Sequence, residues 1–353
     1  MYKVKQLTKK FDSAQVCIFV LLLMRCRVNM YNLEEIKQPV QQNLDEFEKR
    51  FRSSMKSSVP LLDTVTRYLY KRKGKQMRPM FVFLTAKMCG KITESTYRAA
   101  SLIELLHTAS LVHDDVVDDS NERRGFFSIN ALWKNKIAVL VGDFMLSRGL
   151  LIALEGKDHE LLRIVSTAVQ EMSEGELLQI EKARRLDISE EVYFEIIRKK
   201  TASLISSCCA CGAFSSGVSD EVTLKMKQFG ELVGISFQIK DDLFDFETGN
   251  RTGKPNGIDI KEQKMTLPLI HMLSTLPARE KRQTIRTIKS YHDDPVRVAG
   301  IIEQVNHSGG ISYARSKMLE YRQKALDMLD TMPHSEAREA LAQLVIFTTE
   351  RNK

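Results

Sequence analysis

Apolar residues recur every three or four positions along most of this chain, and strict apolar/polar alternation is almost absent. Stretches such as TLKMKQFGELVGISFQI, residues 223–239, have the spacing of a helix rather than a strand. The pattern predicts helices over 31–59, 61–71, 80–89, 95–119, 131–155, 158–183, 189–217, 219–247, 263–275, 295–306, 309–331 and 335–350. Gly74 marks a basic turn in KRKGKQMRPM, residues 71–80, with Pro79 at the start of the next helix. The main breaks are SNERRGFFS, residues 120–128, and ETGNRTGKPNGIDIKEQK, residues 247–264. With 8 Pro and 17 Gly in 353 residues, long helices run uninterrupted, and the expected class is all-α. Neither a repeat nor an interdomain linker divides the sequence, so a single domain is expected over 30–353.

The first 29 residues are a separate matter. The apolar run Val16 to Met24 lies between Lys9-Lys10 and Arg25, Arg27. It is about half the length a spanning helix needs, and no small-x-small cleavage site follows it. Met30 precedes a normal amphipathic pattern, so residues 1–29 are read as an accessory extension of a soluble, cytoplasmic protein. The net charge of +8 suits anionic partners, but the Lys and Arg are scattered along the sequence. No basic helix is interleaved with aromatics, and no nucleic-acid partner is expected. Cys208-Cys209-Ala210-Cys211 lacks the spacing of a zinc site and reads as small thiols packed between helices.

Chemistry concentrates in two acidic strings. HDDVVDD, residues 113–119, closes the apolar run LIELLHTASLV with four carboxylates. Asp114 and Asp118 lie within about 40° of each other on a helix, with His107 and Ser110 on the same stripe and Asp115 on the flank. A helix C-terminus disfavours anions, so such a cluster calls for a counter-cation. KDDLFD, residues 240–245, repeats DDxxD after VGISFQI and places Gln238 on the stripe of Asp241 and Asp245. The third string, HDD at 292–294, is followed by Pro295, and Asp294 reads as a helix cap.

Aspartate oxygens are hard ligands suited to Mg²⁺, which shares its shell with substrate phosphates. The alternation and central Gly of an EF-hand are missing. Two carboxylate walls around Mg²⁺ suit a diphosphate, with basic residues offsetting its charge. Candidates for that task are Lys75 and Arg78 in GKQMRP, Arg123 and Arg124 after the first acidic string, Lys200 within a helix, and Lys254 in the glycine-rich loop.

The chain resembles the trans-isoprenyl diphosphate synthases, or polyprenyl synthetases. The matching elements are GKQMRP, LIELLHTASLVHDDVVDDSNERRG, VLVGDFMLSRG, KKTASL, FQIKDDLFD and GKPNGIDI, in family order from about Tyr31 to Lys353. The resemblance implies an antiparallel helical bundle around a deep central cavity, a homodimer, and three Mg²⁺ per active site with substrate bound. By the same resemblance Asp114, Asp115 and Asp118 form the first metal set. Asp241, Asp242 and Asp245 form the second, with Asp241 the foremost direct ligand. Lys75, Arg78, His107 and Arg124 resemble the isopentenyl diphosphate site. Arg123, Lys200, Thr201, Gln238 and Lys254 resemble contacts to the allylic diphosphate. Asp119 is an extra acid without an assigned role, and Lys73-Gly74 stands where the family has paired glycines.

The implied reaction is a Mg²⁺-dependent condensation of isopentenyl diphosphate with an allylic diphosphate, farnesyl or geranylgeranyl. In the family, bulky aromatic residues at the positions of Ala109 and Ser110 act as a floor that stops growth early. Both are small here, and the next candidates up the helix are Leu106 and Ile103, the latter about 16 Å from Asp114. The expectation is an octaprenyl-type product for quinone side chains, with peripheral membrane contact for its release. A shorter-chain synthase and a non-catalytic subunit of a heteromeric prenyltransferase remain as alternatives. A terpene cyclase would normally lack the second DDxxD, and an HD-type phosphohydrolase would need more core histidines.

Overall fold

Side-chain caps and prolines decide where the helices begin. The computed structural model describes residues 32–71, 74–123, 125–186, 188–246 and 257–351, so the accessory extension at 1–29, Arg124 and Lys254 lie outside the described residues. The elements are α1 (Leu33–Lys37), a 3₁₀ turn (Gln38–Val40), α2 (Gln41–Ser54), α3 (Pro60–Lys71), α4 (Met77–Cys89) and α5 (Glu94–Val117). A two-stranded pairing of β1 (Glu122–Arg123) with β2 (Phe126–Phe127) leads into α6 (Ile129–Glu155) and α7 (His159–Arg185). Next come α8 (Glu190–Ile197), a π-helical turn (Arg198–Ala202), α9 (Ser203–Ser215) and α10 (Asp220–Phe244). The remainder is α11 (Ile258–Lys261), α12 (Leu267–Thr275), α13 (Ala278–Tyr291), α14 (Pro295–His307), α15 (Gly310–Asp330) and α16 (Glu336–Glu350). Thr93 and Thr96 cap α5 reciprocally. Asp294 accepts from the N–H groups of Val296 (3.0 Å) and Arg297 (3.3 Å), the capping role its sequence predicts.

The fold is all-α, as expected, but four local expectations change. The helix anticipated over 31–59 breaks at Pro39, whose missing N–H leaves a 3₁₀ turn between α1 and α2, and it ends at Ser54 rather than 59. The helix anticipated over 189–217 holds the π-turn at Arg198–Ala202. The one anticipated over 263–275 begins only at Leu267, after the separate short α11. No helix was anticipated between 276 and 294, yet α13 fills it. Its buried residues are only Thr284 and Ile288, too narrow a stripe for the apolar period to register.

At the centre stands α9, with α4, α5, α7 and α10 packed around it. Its Ser, Cys, Ala and Gly side chains let four neighbours come close, and Cys208, Cys209 and Cys211 are fully buried thiols within it. Burial pushes the thiol pKa values up, which keeps them neutral and inert. Two hydrophobic clusters make up the core, and α10 runs through both. Met226, Phe229 and Val233 belong to the first, Ile235, Ile239 and Leu243 to the second.

The π-turn is clamped from two sides by glycines. A Cβ on Gly175 of α7 would lie 2.7 Å from the Lys200 nitrogen, and one on Gly234 of α10 would run into the Ala202 backbone. Only a residue without a side chain allows either approach. Gly234→Ala is expected to lower the unfolding free energy by about 1–3 kcal/mol in a urea titration. It should also cut turnover, because the turn carrying Lys200 and Thr201 has to shift.

Candidate active site

The first aspartate string ends α5 in a Schellman-type stop. Asp118 is the cap residue, Asp119 takes a left-handed backbone (φ 48°), and the Ser120 N–H reaches back to the Asp115 carbonyl at 2.9 Å. Asp119 thus has a local task, since Asp is among the few residues that tolerate that conformation. Asp118 is exposed, Asp114 is half-buried, and Asp115 is only 4% exposed. The Arg123 guanidinium, on β1 just beyond the end of α5, donates to the Asp115 carboxylate at 2.6 Å. Asn130 secures the end of α5 by donating to the carbonyls of Asp115 (3.1 Å) and Ser120 (3.2 Å). Burial raises the Asp114 pKa, Glu176 adds to the rise, and Lys200 opposes it.

The second string divides its three carboxylates among different partners. Asp241 forms an ion pair with Arg351, just past the end of α16. Asp242, only 7% exposed, accepts from the Tyr193 hydroxyl at 2.7 Å and the Gln238 amide at 2.8 Å. Burial raises its pKa above the ordinary carboxylate range, and these two hydrogen bonds hold the rise back. Asp245 accepts three backbone N–H groups, from Gly257 (3.1 Å), Ile258 (2.9 Å) and Asp259 (3.2 Å), and so caps α11.

Two lysines tie the strings to one space. Lys200, on the π-turn, pairs with Glu176 and acts on Asp114. Its neighbour Thr201 donates to the Gln238 side-chain oxygen at 2.7 Å, and Gln238 donates onward to Asp242. One turn of chain therefore serves the first set through Lys200 and the second through Thr201. Lys264 lies against Glu262 and feels both Asp259 and Asp118; burial disfavours its charge, but these acids outweigh that and raise its pKa. Asp259 joins the second set, its pKa raised by burial first and then by Asp242 and Asp245.

The remaining expected residues gather on the α4, α5 and α16 side. Gln76 adopts a left-handed conformation (φ 54°) that turns the chain into α4, with Lys75 before the turn and Arg78 after it. The Lys75 ammonium sits 5.4 Å from the centre of the Phe347 ring. Burial and then Arg351 lower its pKa. Arg78 and Glu104 both act on the Cys208 thiol, which puts them on one side of α9. His107 is buried on α5. Above it Ile103, Leu106 and Ala109 are buried, and the half-buried Ser110 donates to its own helix at the His107 carbonyl (2.9 Å). A surface groove of about 730 Å³, lined by residues including Glu35, Gln42, Lys87 and Gln343, contains none of these residues.

Sequence reasoning missed Glu176, Tyr193, Asp259, Lys264, Asn130 and Arg351. Asp259 lies within the string GKPNGIDI, which is its local signal in the sequence. The others are partners across the fold, without a local pattern.

The carboxylate oxygens fit a hard cation. Among the described residues no three acidic, His or Cys side chains converge into a cage of their own. An ion here would need further oxygens, such as those of a diphosphate.

An all-α bundle that brings two DDxxD helix ends together around lysines has the fold of the isoprenoid synthases. Residues 59–305 match the family model described as Polyprenyl synthetase. The chain belongs to the polyprenyl synthetase family and is a prenyltransferase. It is 33% identical to octaprenyl diphosphate synthase of Escherichia coli over 91% of this chain and 100% of that one. Among solved structures, it is similar to a polyprenyl synthase from Caulobacter crescentus complexed with calcium and isoprenyl diphosphate. That match has a TM-score of 0.84 and 30% identity, covering 91% of this chain and 98% of that one. A geranylgeranyl pyrophosphate synthase from Bacteroides thetaiotaomicron is 38% identical, with a TM-score of 0.77, over 90% and 98% of the two chains.

The raised Asp259 pKa has a consequence for stability. The folded protein holds this proton more tightly than the unfolded chain does. Ionised Asp259 therefore costs stability in full at pH above its raised pKa; the cost declines as pH falls below that value and is gone only below the ordinary carboxylate pKa of the unfolded chain. Asp259→Asn is expected to have a higher Tm than the parent at about pH 8, with the gap closing toward about pH 5. Thermal melts across that range in a Mg²⁺-free buffer check it.

Proposed function

We propose that the chain is a long-chain trans-polyprenyl diphosphate synthase of the cytoplasm. It adds isopentenyl diphosphate units to a farnesyl or geranylgeranyl primer, giving an octaprenyl-type product for quinone side chains. The observation that carries this reading is the π-turn, whose adjacent Lys200 and Thr201 lead to the two aspartate sets and so make them walls of one space.

Asp114 and Asp118 are the best-placed metal ligands of the first set, because Asp115 is committed to Arg123. In the second set Asp242 and Asp245 are held by Tyr193 and Gln238 and by the α11 backbone, and Asp241, paired with Arg351 but more than a third exposed, is the acid we assign to a metal. Asp115, Asp242 and Asp245 hold the frame from which the others reach the substrate. Bound Mg²⁺, three ions with substrate present, would supply the positive charge that draws electrons from the departing diphosphate. Lys200 and Lys264 add fixed charge on the same side, as would Arg123 and Lys254. The allylic C–O bond breaks, its electron pair leaves with the diphosphate, and the double bond of isopentenyl diphosphate attacks the carbocation. Lys75, Arg78, His107 and Arg124 hold that second substrate. Its surplus proton passes to the departed diphosphate, and the buried apolar wall of Ile103, Leu106 and Ala109 keeps water from the cation.

The chain length rests on Ala109 and Ser110, which set no bulky ring in the path along α5, and on the octaprenyl relative. The 38% identical geranylgeranyl synthase structure favours a shorter product as the second reading. Sizing the dephosphorylated products by mass spectrometry decides between them. Ser110→Phe is expected to shorten a long product, and an unchanged length would mean that the tail takes another route. Asp114→Ala and Asp241→Ala should each lower turnover by orders of magnitude without unfolding the protein.

A homodimer fits the outer face of α6. Ala138, Val141 and Met145 bury one side of this helix in the bundle, while Leu132, Val139, Leu140, Leu151 and Leu154 stay exposed. By length and composition alone α6 would pass for a membrane span, and a second copy of the chain is the occupant we assign to its exposed face. Leu140→Arg with Leu151→Arg is expected to halve the mass measured by light scattering.

A further inference from the structure

Several of the basic residues that look scattered in the sequence line up on α13. Arg279, Arg282, Arg286 and Lys289 follow one another at intervals of three, four and three. At about 100° per residue they share an arc of about 80°. All four are exposed, as is Lys281, and among the described residues none of the five has an ion pair or hydrogen-bonding partner. On other helices cations are paired with an acid on the same helix, as Lys317 and Lys324 are with Glu320 (3.2 and 2.7 Å) and Arg163 is with Glu160 (2.8 Å). Single exposed lysines such as Lys56 and Lys134 also stand without an acid among the described residues, but α13 lines up four such cations on one face. Glu280 is the one acid within α13.

The corner that follows adds an apolar component. Val296 is 80% exposed, Tyr291 is 43% exposed, and the Arg297 guanidinium lies 3.6 Å from the centre of the Tyr291 ring. The acids here are Asp293 and Asp294, and the second is occupied in capping α14. This corner lies at the carboxylate end of the bundle. α14 packs against α13, and Val298 and Ile302 of α14 press on Gly257 so closely that a Cβ there would lie 2.6 Å from Val298 Cγ1. Gly257 in turn donates its N–H to Asp245 of the second aspartate set.

From this arrangement we infer that the α13 face and the Tyr291–Val296 corner dock the enzyme on an anionic lipid bilayer, with the active-site end toward the membrane. A row of unpaired cations beside an aromatic and an aliphatic tip suits a charged lipid surface, where each Lys or Arg adds its own increment of attraction. The purpose rests on the long-chain reading above: a polyprenyl diphosphate is insoluble in water and leaves most readily into lipid. The binding itself does not depend on product length.

The test is co-sedimentation of the full chain with phosphatidylcholine vesicles, with and without phosphatidylglycerol. Binding is expected only to the anionic vesicles, and it should weaken sharply at high salt. R282E/R286E/K289E should bind about a hundredfold or more weakly, while its circular dichroism and its product formation in detergent solution stay as in the parent. Failure of the parent to bind anionic vesicles, or equal binding by the triple variant, would overturn the inference. So would salt-sensitive binding of duplex DNA through the same residues without vesicle binding. A geranylgeranyl product together with intact vesicle binding would remove the long-chain reading and leave the docking face standing.

Discussion

Repulsion among carboxylates is the constraint around which this molecule is arranged. Two aspartate strings stand at the C-terminal ends of α5 and α10, where the helix dipole already disfavours negative charge. Burial makes the problem worse, and the raised pKa values of Asp114, Asp115, Asp242, Asp245 and Asp259 all have it as their first cause. The fold answers four of the acids with compensations of their own: Arg123 for Asp115, Arg351 for Asp241, Tyr193 and Gln238 for Asp242, and backbone N–H groups for Asp245. Removing one partner would leave a buried charge uncompensated, which costs more than the pair itself contributes. Asp114 and Asp118 remain the least committed of the string acids within the protein.

These compensations arrive from distant parts of the chain, and close packing makes that possible. Tyr193 comes from α8, Lys200 and Thr201 from the π-turn, Arg351 from beyond α16. The small residues of α9 let α4, α5, α7 and α10 approach one hub, which fixes the distance between the two aspartate helices. A π-turn between α8 and α9 then presents two consecutive residues in different directions, a service an unbroken α-helix gives less easily. Gly175 and Gly234 are the condition for it. The geometry of the site thus depends on glycines that touch no substrate.

Much of this was legible in the sequence, and what was not has a physical cause. Apolar spacing gives the helices wherever one side meets the core broadly, and it fails at α13, where two residues alone are buried. The acidic strings are visible because their partners in the motif are local, at intervals of one turn. Their division of labour is invisible because Tyr193, Lys264 and Arg351 reach them through space. Asp119 has no role that the sequence assigns, and its left-handed backbone makes it the stop of α5. The sequence also shows Lys and Arg as scattered, since a stripe at intervals of three and four emerges only when the segment is known to be helical.

The two DDxxD strings look alike on paper, yet the fold treats them differently. In the first, two of three motif acids, Asp114 and Asp118, keep solvent or lysine-facing positions, and the middle one is tied to Arg123. In the second, Asp241 faces the Arg351 guanidinium, while Asp242 and Asp245 are held inside hydrogen-bond networks. The second string therefore has less freedom to follow a moving ligand and more resemblance to a fixed wall. Such an asymmetry suits a reaction in which one diphosphate must be held while its carbon chain departs toward the other substrate. A motif identifies where chemistry occurs, but the partners of each carboxylate decide which oxygen takes part in it.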